Sequence, residues 1–488
     1  MSRSLRLVPA AVLLTTALTL SVSGCDGGSG GGSGGPGGSG GGGSARGAAG
    51  VGDPYFPKAG NGGYDVTHYG LTLAWEPDDS SDSDKEPGRL TGKAVITARA
   101  TQDLDAFDLD LSGLDVSKVV VGGREAGTGR EGQELTVRPR ERIGEGETFE
   151  VTVEYSGRPR TITDPDGSEE GWLPTADGAL ALGEPTGTMA WFPGSHHPSD
   201  KASYDLAVTV PKGLTAVSNG ELRSERTDGG RTTFVWRTAE PMASHAATLA
   251  IGRYGVTRST TPDGLPVYVA VDPTQAAKSR AVLARLPEVL EWAEYNFGPY
   301  PFSSTGAIVD RPEDSDYALE TQNRPVFAGA PDTATLVHEI AHQWFGDSVT
   351  PKTWQDMWLN EGFATYAEWL WEEDEGGRSA EETFTELYEH GEGRYEDLWD
   401  YPPGKPSGAD TISDTPVYQR GAMVVHLIRK AVGDDAFYDI VQGWAAEHRH
   451  GNASTSDFTA YVERQAPDTD FDEIWDDWLY GEGKPELF

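Results

Sequence analysis

The chain of 488 residues carries 78 acidic against 39 basic side chains, a formal net charge of −39. That balance argues against nucleic acid as a partner and against electrostatic docking on anionic lipid, because both need cationic surface. One cysteine excludes intrachain disulfides, so the folded part must be stable without them.

The chain opens with Arg3 and Arg6, followed from Leu7 to Leu20 by an apolar run too short to span a bilayer as a stable helix. Val22-Ser23-Gly24-Cys25 then looks like a bacterial lipobox. On that reading residues 1–24 are a signal peptide, and cleavage leaves Cys25 as a lipidated N-terminus. A signal peptide with a chance cysteine is the plainer alternative, but Cys25 is the chain's one cysteine, which favours the lipid. Residues 25–52 are nearly all Gly and Ser and cannot bury a core. A flexible coil of that length spans about 25–30 Å. The segment is expected to be a tether, and the protein an exported, cell-surface lipoprotein that meets the membrane through its anchor alone.

The remainder, roughly 430 residues, is too long for one core. In the first expected domain, 53–252, the dominant apolar period is two from about residue 60. Phe107, Leu109 and Leu111 alternate with polar residues, as do Phe149 to Tyr155 and Tyr204 to Val210. Short strands punctuated by Gly and Pro predict an all-β, sandwich-like domain. From 253 to 488 the pattern changes. A helix is expected from Asp272 to Tyr295, bent or broken at Pro287, then a strand at Ala307-Ile308-Val309. Further helices are expected near Tyr418–Ala431, Asp435–His448 and Ser456–Arg464. Strands with helices packed on them make this second domain α+β.

Its chemistry is concentrated in two segments. His338-Glu339-Ile340-Ala341-His342 is an HExxH sequence, and Glu361 follows nineteen positions after the second histidine. With about 3.6 residues per turn, His338 and His342 share one helix face and can bind one cation. Glu339 lies beside them, placed to take a proton from water. Asp332 and Thr333 are candidate caps after Pro331, and Gly346 a stop. Leu336, Val337, Ile340, Ala341 and Trp344 make the helix apolar nearly all round, a costly setting for unpaired histidines. Glu361 lies in another apolar segment and also needs a partner. Two His and one Glu leave a fourth tetrahedral position open, the arrangement of a catalytic zinc. Glu368, seven residues on, is read either as a hydrogen-bond acceptor for a ligand histidine or as a solvated helix-face charge.

These segments resemble the aminopeptidase N family of zinc metallopeptidases, which includes the leukotriene hydrolases. The resemblance rests on His338 to Gly346 and Trp358-Leu359-Asn360-Glu361-Gly362-Phe363-Ala364 for the metal site. Phe297-Gly298-Pro299-Tyr300-Pro301-Phe302 resembles the entry to the catalytic domain. Val417-Tyr418-Gln419-Arg420-Gly421-Ala422 is similar to the segment bearing the catalytic tyrosine. Ala318-Leu319-Glu320 falls at the exopeptidase motif Gly-Ala-Met-Glu-Asn, and Glu184-Pro185-Thr186 resembles the amine-binding acidic residue. Tyr317 and Thr321 depart from the motif's first glycine and its asparagine. The resemblance extends close to Trp478-Leu479-Tyr480-Gly481, and the helical domain that roofs many relatives is not expected in this chain.

The resemblance implies a thermolysin-like catalytic domain behind the β-domain, one Zn2+ per chain, and release of N-terminal residues from peptides with a free amine. Glu339 would move the proton, and the Tyr418 hydroxyl would donate to the scissile carbonyl oxygen. Glu320 and Glu184 would pair the substrate ammonium, with Ala318 and Leu319 beside the substrate backbone. Two rivals share these residues: a zinc endopeptidase indifferent to a free N-terminus, and a non-catalytic surface binding protein on a decayed enzyme scaffold. No residue favours epoxide hydrolysis, and none specifies an oligomeric state.

Overall fold

The computed structural model describes residues 45–77, 88–312, 315 and 317–487. The signal peptide, Cys25 and most of the expected tether lie outside them. The last residues assigned to the tether are docked. Gly47 N–H donates to Ala106 O (2.9 Å), Gly62 N–H to Ala48 O (2.8 Å), and Arg46 pairs with the buried Asp108 at 3.0 Å. The expectation of free coil up to 52 therefore ends at 45, because Arg46 offers Asp108 the cation that a buried carboxylate requires.

The β-rich part is a layered sheet structure. Its largest sheet has eight strands in the order Glu221–Asp228, Arg231–Ala243, Lys201–Pro211, Tyr64–Glu76, Arg89–Ala100, Thr148–Gly157, Asp115–Val121, Arg124–Glu125. The period-two runs at Phe149 and Tyr204 lie in it, and their apolar residues are buried. A five-stranded sheet runs Thr215–Ser218, Leu249–Gly252, Ala179–Leu182, Glu169–Pro174, Thr161–Thr163. It carries Glu184 two residues past one of its strands.

The chain then builds a second five-stranded sheet, ordered Gly255–Thr260, Pro266–Val271, Thr305–Val309, Val326–Phe327, Ala318–Leu319. Ala318–Leu319 is an edge strand. Among the described residues eight α-helices follow around it: α1 (Ala276–Leu283), α2 (Leu286–Phe297), α3 (Thr333–Ala341), α4 (Trp358–Asp374), α5 (Ala380–His390), α6 (Gly421–Val432), α7 (Asp434–Glu447) and α8 (Thr455–Gln465). The expected break near Pro287 falls at Ala284–Arg285. Pro287 itself lies in the first turn of α2, where its missing N–H costs no hydrogen bond. The helix expected from Tyr418 is a π-helical turn, Pro416–Arg420, that runs into α6.

Two hydrophobic clusters mark the two parts. One joins the strands from Tyr64 to Ile251; the other joins Phe297, Trp344, Trp358 and Trp478. Side chains from the second sheet (Tyr268, Ala270, Ile308, Leu319, Val326) belong to the first cluster, so the β-domain packs directly under the strands that carry the site. Arg324 locks this seam. It is buried, donates to the carbonyls of Tyr268 (3.1 Å), Gly220 (3.0 Å) and Ser218, and lies against the rings of Trp236 and Tyr268. Arg324→Met keeps most of the volume but orphans three buried carbonyls. At about 1–3 kcal/mol per orphaned group it is expected to lose at least about 3 kcal/mol of stability in denaturant titration. A loss under about 1 kcal/mol would contradict this account of the seam.

Candidate active site

α3 begins where its cap is. Asp332 accepts from Thr335 N–H at 2.8 Å, and the helix then runs to Ala341 with His342 closing its last turn. The stop is tighter than expected: Gly346, at φ 133°, follows a turn rather than the helix itself. The ring nitrogens are oriented from outside. Nδ1 of His342 lies 3.0 Å from Phe345 O; a carbonyl only accepts, so Nδ1 carries the proton. Nδ1 of His338 lies 2.7 Å from a Glu368 carboxylate oxygen, the geometry of an N–H donor. With Nδ1 of each ring so engaged, Nε2 is the nitrogen left to bind inward, and both Nε2 atoms face one oxygen, Oε2 of Glu361, at 3.1 and 3.4 Å. Three potential donor atoms converging in this way fit a divalent cation, and two imidazoles with a carboxylate are a zinc-type donor set. Glu368 thereby takes the role of acceptor for a ligand histidine, not of a solvated charge.

The second metal-site segment owes its position to glycine. α4 and α6 cross with Gly362 against Gly421; a Cβ on Gly362 would stand 2.9 Å from the Gly421 carbonyl carbon and 3.0 Å from its Cα. This contact brings Glu361 and Tyr418 to the same cavity. Arg420 pins the π-helical turn by donating to the carbonyls of Trp478 (2.9 Å), Asp477 (2.9 Å) and Gly481 (2.6 Å). Tyr418 consequently stacks on His338, with ring centroids 6.0 Å apart and planes at 11°. Burial, then the charges of Glu361, Glu320 and Glu184, hold its hydroxyl well above the usual phenol range, so it is a donor at neutral pH.

Glu339, Glu320, Glu184, Ala318 and Leu319 border the same cavity, of about 750 Å3. Glu339 is buried, one of its oxygens has no partner among the described residues, and burial pushes its carboxyl up to about 8. Glu320 follows the edge strand Ala318–Leu319. The turn behind it is held from both sides. Asn323, at φ 69°, donates its N–H to Gln343 Oε1 of the α3 turn (2.8 Å), and Asn219 Nδ2 of the β-domain donates to Gln322 O (2.8 Å). Of the two departures from the family motif, Thr321 is spent locally, its hydroxyl donating to Arg324 O at 2.6 Å. Tyr317 borders the cavity and donates to Glu169 O of the β-domain at 3.0 Å, so it forms a wall there.

Glu184, Glu320 and Glu361 each bring an oxygen to within 4.8 Å of the others. Burial raises the carboxyls of Glu184 and Glu320, and each keeps an oxygen without a hydrogen-bond partner among the described residues. The nearest base to Glu184 is His245, 3.6 Å away, a neighbour with no signature in the sequence. Burial drives that imidazole down to about 3 and keeps it neutral. Four carboxylates (Glu184, Glu320, Glu339, Glu361) therefore crowd around the His338 and His342 rings. A dication and one ammonium would offset three of the four charges. Cys25 alone of the candidate residues lies outside the described chain.

Comparison with known proteins agrees with this geometry. Residues 66–245 match the Peptidase M1 N-terminal domain, and residues 316–478 match the Peptidase family M1 domain. The chain belongs to peptidase family M1. It is similar to an M1 zinc metallopeptidase from Deinococcus radiodurans (TM-score 0.81, 28% identity, covering 90% of this chain and 98% of that one). A mutant of that protein bound to a Tyr-Ser-Ala substrate matches with TM-score 0.81, 28% identity and coverage of 90% and 99%. Among curated relatives, Aminopeptidase M1 of Arabidopsis thaliana is 26% identical over 63% of this chain and 37% of its own length. Glutamyl aminopeptidase of Bos taurus is 26% identical over 62% and 34%. The chain thus spans about a third of the length of these relatives. In this M1 chain the helix contact is directly testable. Gly362→Ala is expected to part α4 from α6 and lower peptidase turnover about 100-fold, the cost of a misplacement near 1 Å. Wild-type turnover in that variant would refute the role given to the contact.

Proposed function

We propose that this protein is a zinc aminopeptidase. The observation that carries the reading is the adjacency of two sites: a His338, His342, Glu361 cluster for zinc, and the carboxylates of Glu320 and Glu184, each with an oxygen that has no hydrogen-bond partner among the described residues, within 4.8 Å of Glu361. In a peptide's first residue the amine nitrogen and the carbonyl carbon are both bonded to one Cα, roughly 2.5 Å apart. An ammonium binder that abuts the metal ligands therefore selects the first peptide bond. An endopeptidase has no use for two buried carboxylates there, since an internal residue brings no cation to pair them.

Zinc, when bound, supplies Lewis acidity that polarises a carbonyl and acidifies water. The protein's own groups do the rest. Glu320 and Glu184 hold the ammonium, and the free side of the edge strand Ala318–Leu319 offers backbone hydrogen bonds to the substrate chain. Glu339 accepts the proton of the attacking water and returns it to the leaving amine. Tyr418 donates its hydroxyl to the carbonyl oxygen as negative charge develops. Tyr317 closes the wall on the β-domain side. An intact general base and donor set support an enzyme over a binding scaffold.

Chelation is expected to abolish hydrolysis of an aminoacyl anilide and zinc to restore it. Glu339→Gln should lower kcat by about 100- to 10,000-fold with zinc content unchanged. Glu320→Ala should lower turnover with zinc unchanged, and N-acetylation of a peptide should abolish its cleavage. Equal rates on acetylated and free peptides would establish the endopeptidase reading instead.

We also propose that residues 53–252 and 253–488 are the two folded domains, and that Cys25 carries lipid, which tethers the enzyme to the outer face of a bacterial membrane. No helix among the described residues is long and apolar enough to cross a membrane, so attachment would rest on the anchor. Cys25→Ser is expected to move the protein from the membrane fraction to the medium; unchanged membrane fractionation would remove the anchor.

A further inference from the structure

The active-site cavity opens into a second one. This neighbour, of about 570 Å3, shares Ala334, Glu368 and Arg394 with it. Neither Glu184 nor Glu320 borders the second cavity, and nor does Tyr317. A peptide whose amine is held by Glu184 and Glu320 has its first carbonyl beside the metal ligands. Its following residues must then lead away from the amine site. Ala334, one turn before His338, and Glu368, hydrogen-bonded to His338, place the second cavity on that outgoing side.

The arginines around the second cavity are matched, with one exception. Arg285 is held by Glu288 (2.9 Å) and Glu375 (2.7 Å) and Arg378 by Glu372 (3.4 Å), while Glu368 accepts a hydrogen bond from the His338 ring. Arg394 pairs with no carboxylate among the described residues. Its guanidinium rests 5.1 Å from the centre of the Tyr395 ring, and the residue is exposed. Glu386, which no described base pairs, borders only the second cavity, whereas Glu368 and Arg394 border both. Arg394 is therefore the group at the junction that can offer an anion a cation without giving up a carboxylate partner among the described residues. In a chain of net charge −39, whose active site is otherwise acidic, an unpaired guanidinium at the exit is out of pattern. Its planar fork suits a carboxylate.

We propose that Arg394 binds a carboxylate of the departing part of the substrate, and that the two cavities together form a site for short peptides, read at the amine by Glu184 and Glu320 and at the far end by Arg394. The proposal rests on the aminopeptidase reading and names its substrate class. The carboxylate is the peptide's own C-terminus or an acidic side chain, two sources with one chemistry.

The test compares leucyl tri-, tetra- and pentapeptides as free acids, as C-terminal amides, and as amides with one internal glutamate, alongside leucyl anilide. For at least one length, the wild-type enzyme should favour a carboxylate-bearing peptide over its neutral amide about tenfold or more, with the difference in KM. The preferred set separates the two sources. Arg394→Gln should erase the preference and leave the anilide rate unchanged; Arg394→Lys should keep part of it. Calorimetric binding of the same peptides to zinc-loaded Glu339→Gln enzyme, with and without Arg394→Gln, reads the contact without cleavage. Equal handling of acids and amides at every length would overturn the proposal, as would an Arg394→Gln loss shared equally by acids, amides and anilide. A wild-type enzyme inert toward the anilide would instead sink the aminopeptidase reading, while the binding arm still decides the role of Arg394.

Discussion

Carboxylates crowded into one buried cluster must find cations, and much of this structure is arranged around that need. Glu184, Glu320, Glu339 and Glu361 are too close and too buried to be charged together unaided. The histidine beside Glu184 is held neutral by burial and offers no charge. Two imidazoles whose Nδ1 atoms turn outward, toward Glu368 and Phe345 O, leave their Nε2 atoms facing inward. The cavity is thus electrostatically incomplete without a metal and a cationic substrate group. That same incompleteness is what the proposed metal and substrate ammonium would meet.

Holding such a cavity together requires scaffolding from distant parts of the chain. The β-domain supplies Glu184 and a wall, the edge strand supplies Glu320, and two helices meeting at a pair of glycines supply Glu361 and Tyr418. Cationic side chains that take no part in chemistry stitch these pieces together through backbone carbonyls. Arg324 joins the turn behind Glu320 to the β-domain. Arg420 ties the tyrosine turn to the C-terminal segment. Lys201, from the large sheet, reaches the carbonyls of Asp347 (2.9 Å) and Ser348 (3.0 Å) in the loop after the HExxH helix. Each buried charge is satisfied several times over, which makes each a rigid joint rather than a bare ion in an apolar interior.

Legibility of the site followed the range of the interactions. The metal-binding segments could be read because helix periodicity brings His338, Glu339 and His342 together within two turns, and because the apolar flanks of Glu361 made its carboxylate conspicuous. Glu368 had two open readings until its distance to His338 was known. Glu184, Glu320 and Tyr418 rested on resemblance, since their meeting depends on sheet packing and a helix crossing that no local pattern encodes. His245, Gln343 and Arg394 went unread for the same reason: each is one ordinary polar residue whose significance lies in a neighbour far along the chain. Local rules also slipped at boundaries. The coil expected through 52 docks from 45 onward because Arg46 finds Asp108, and the helix expected from Tyr418 begins as a wider turn pinned by Arg420.

The sequence by itself determined the two structural periods, the order of a β-domain and an α+β domain, and a helix face bearing two histidines with a base between them. These are consequences of spacing along the chain, and short-range geometry leaves them little freedom. Tertiary structure decided which carboxylates share a cavity, which histidine nitrogens face inward, and where Arg394 stands without a carboxylate partner among the described residues. Those outcomes depend on burial and on contacts between residues up to a few hundred positions apart, and charge in a protein interior is governed by what surrounds it rather than by what precedes it.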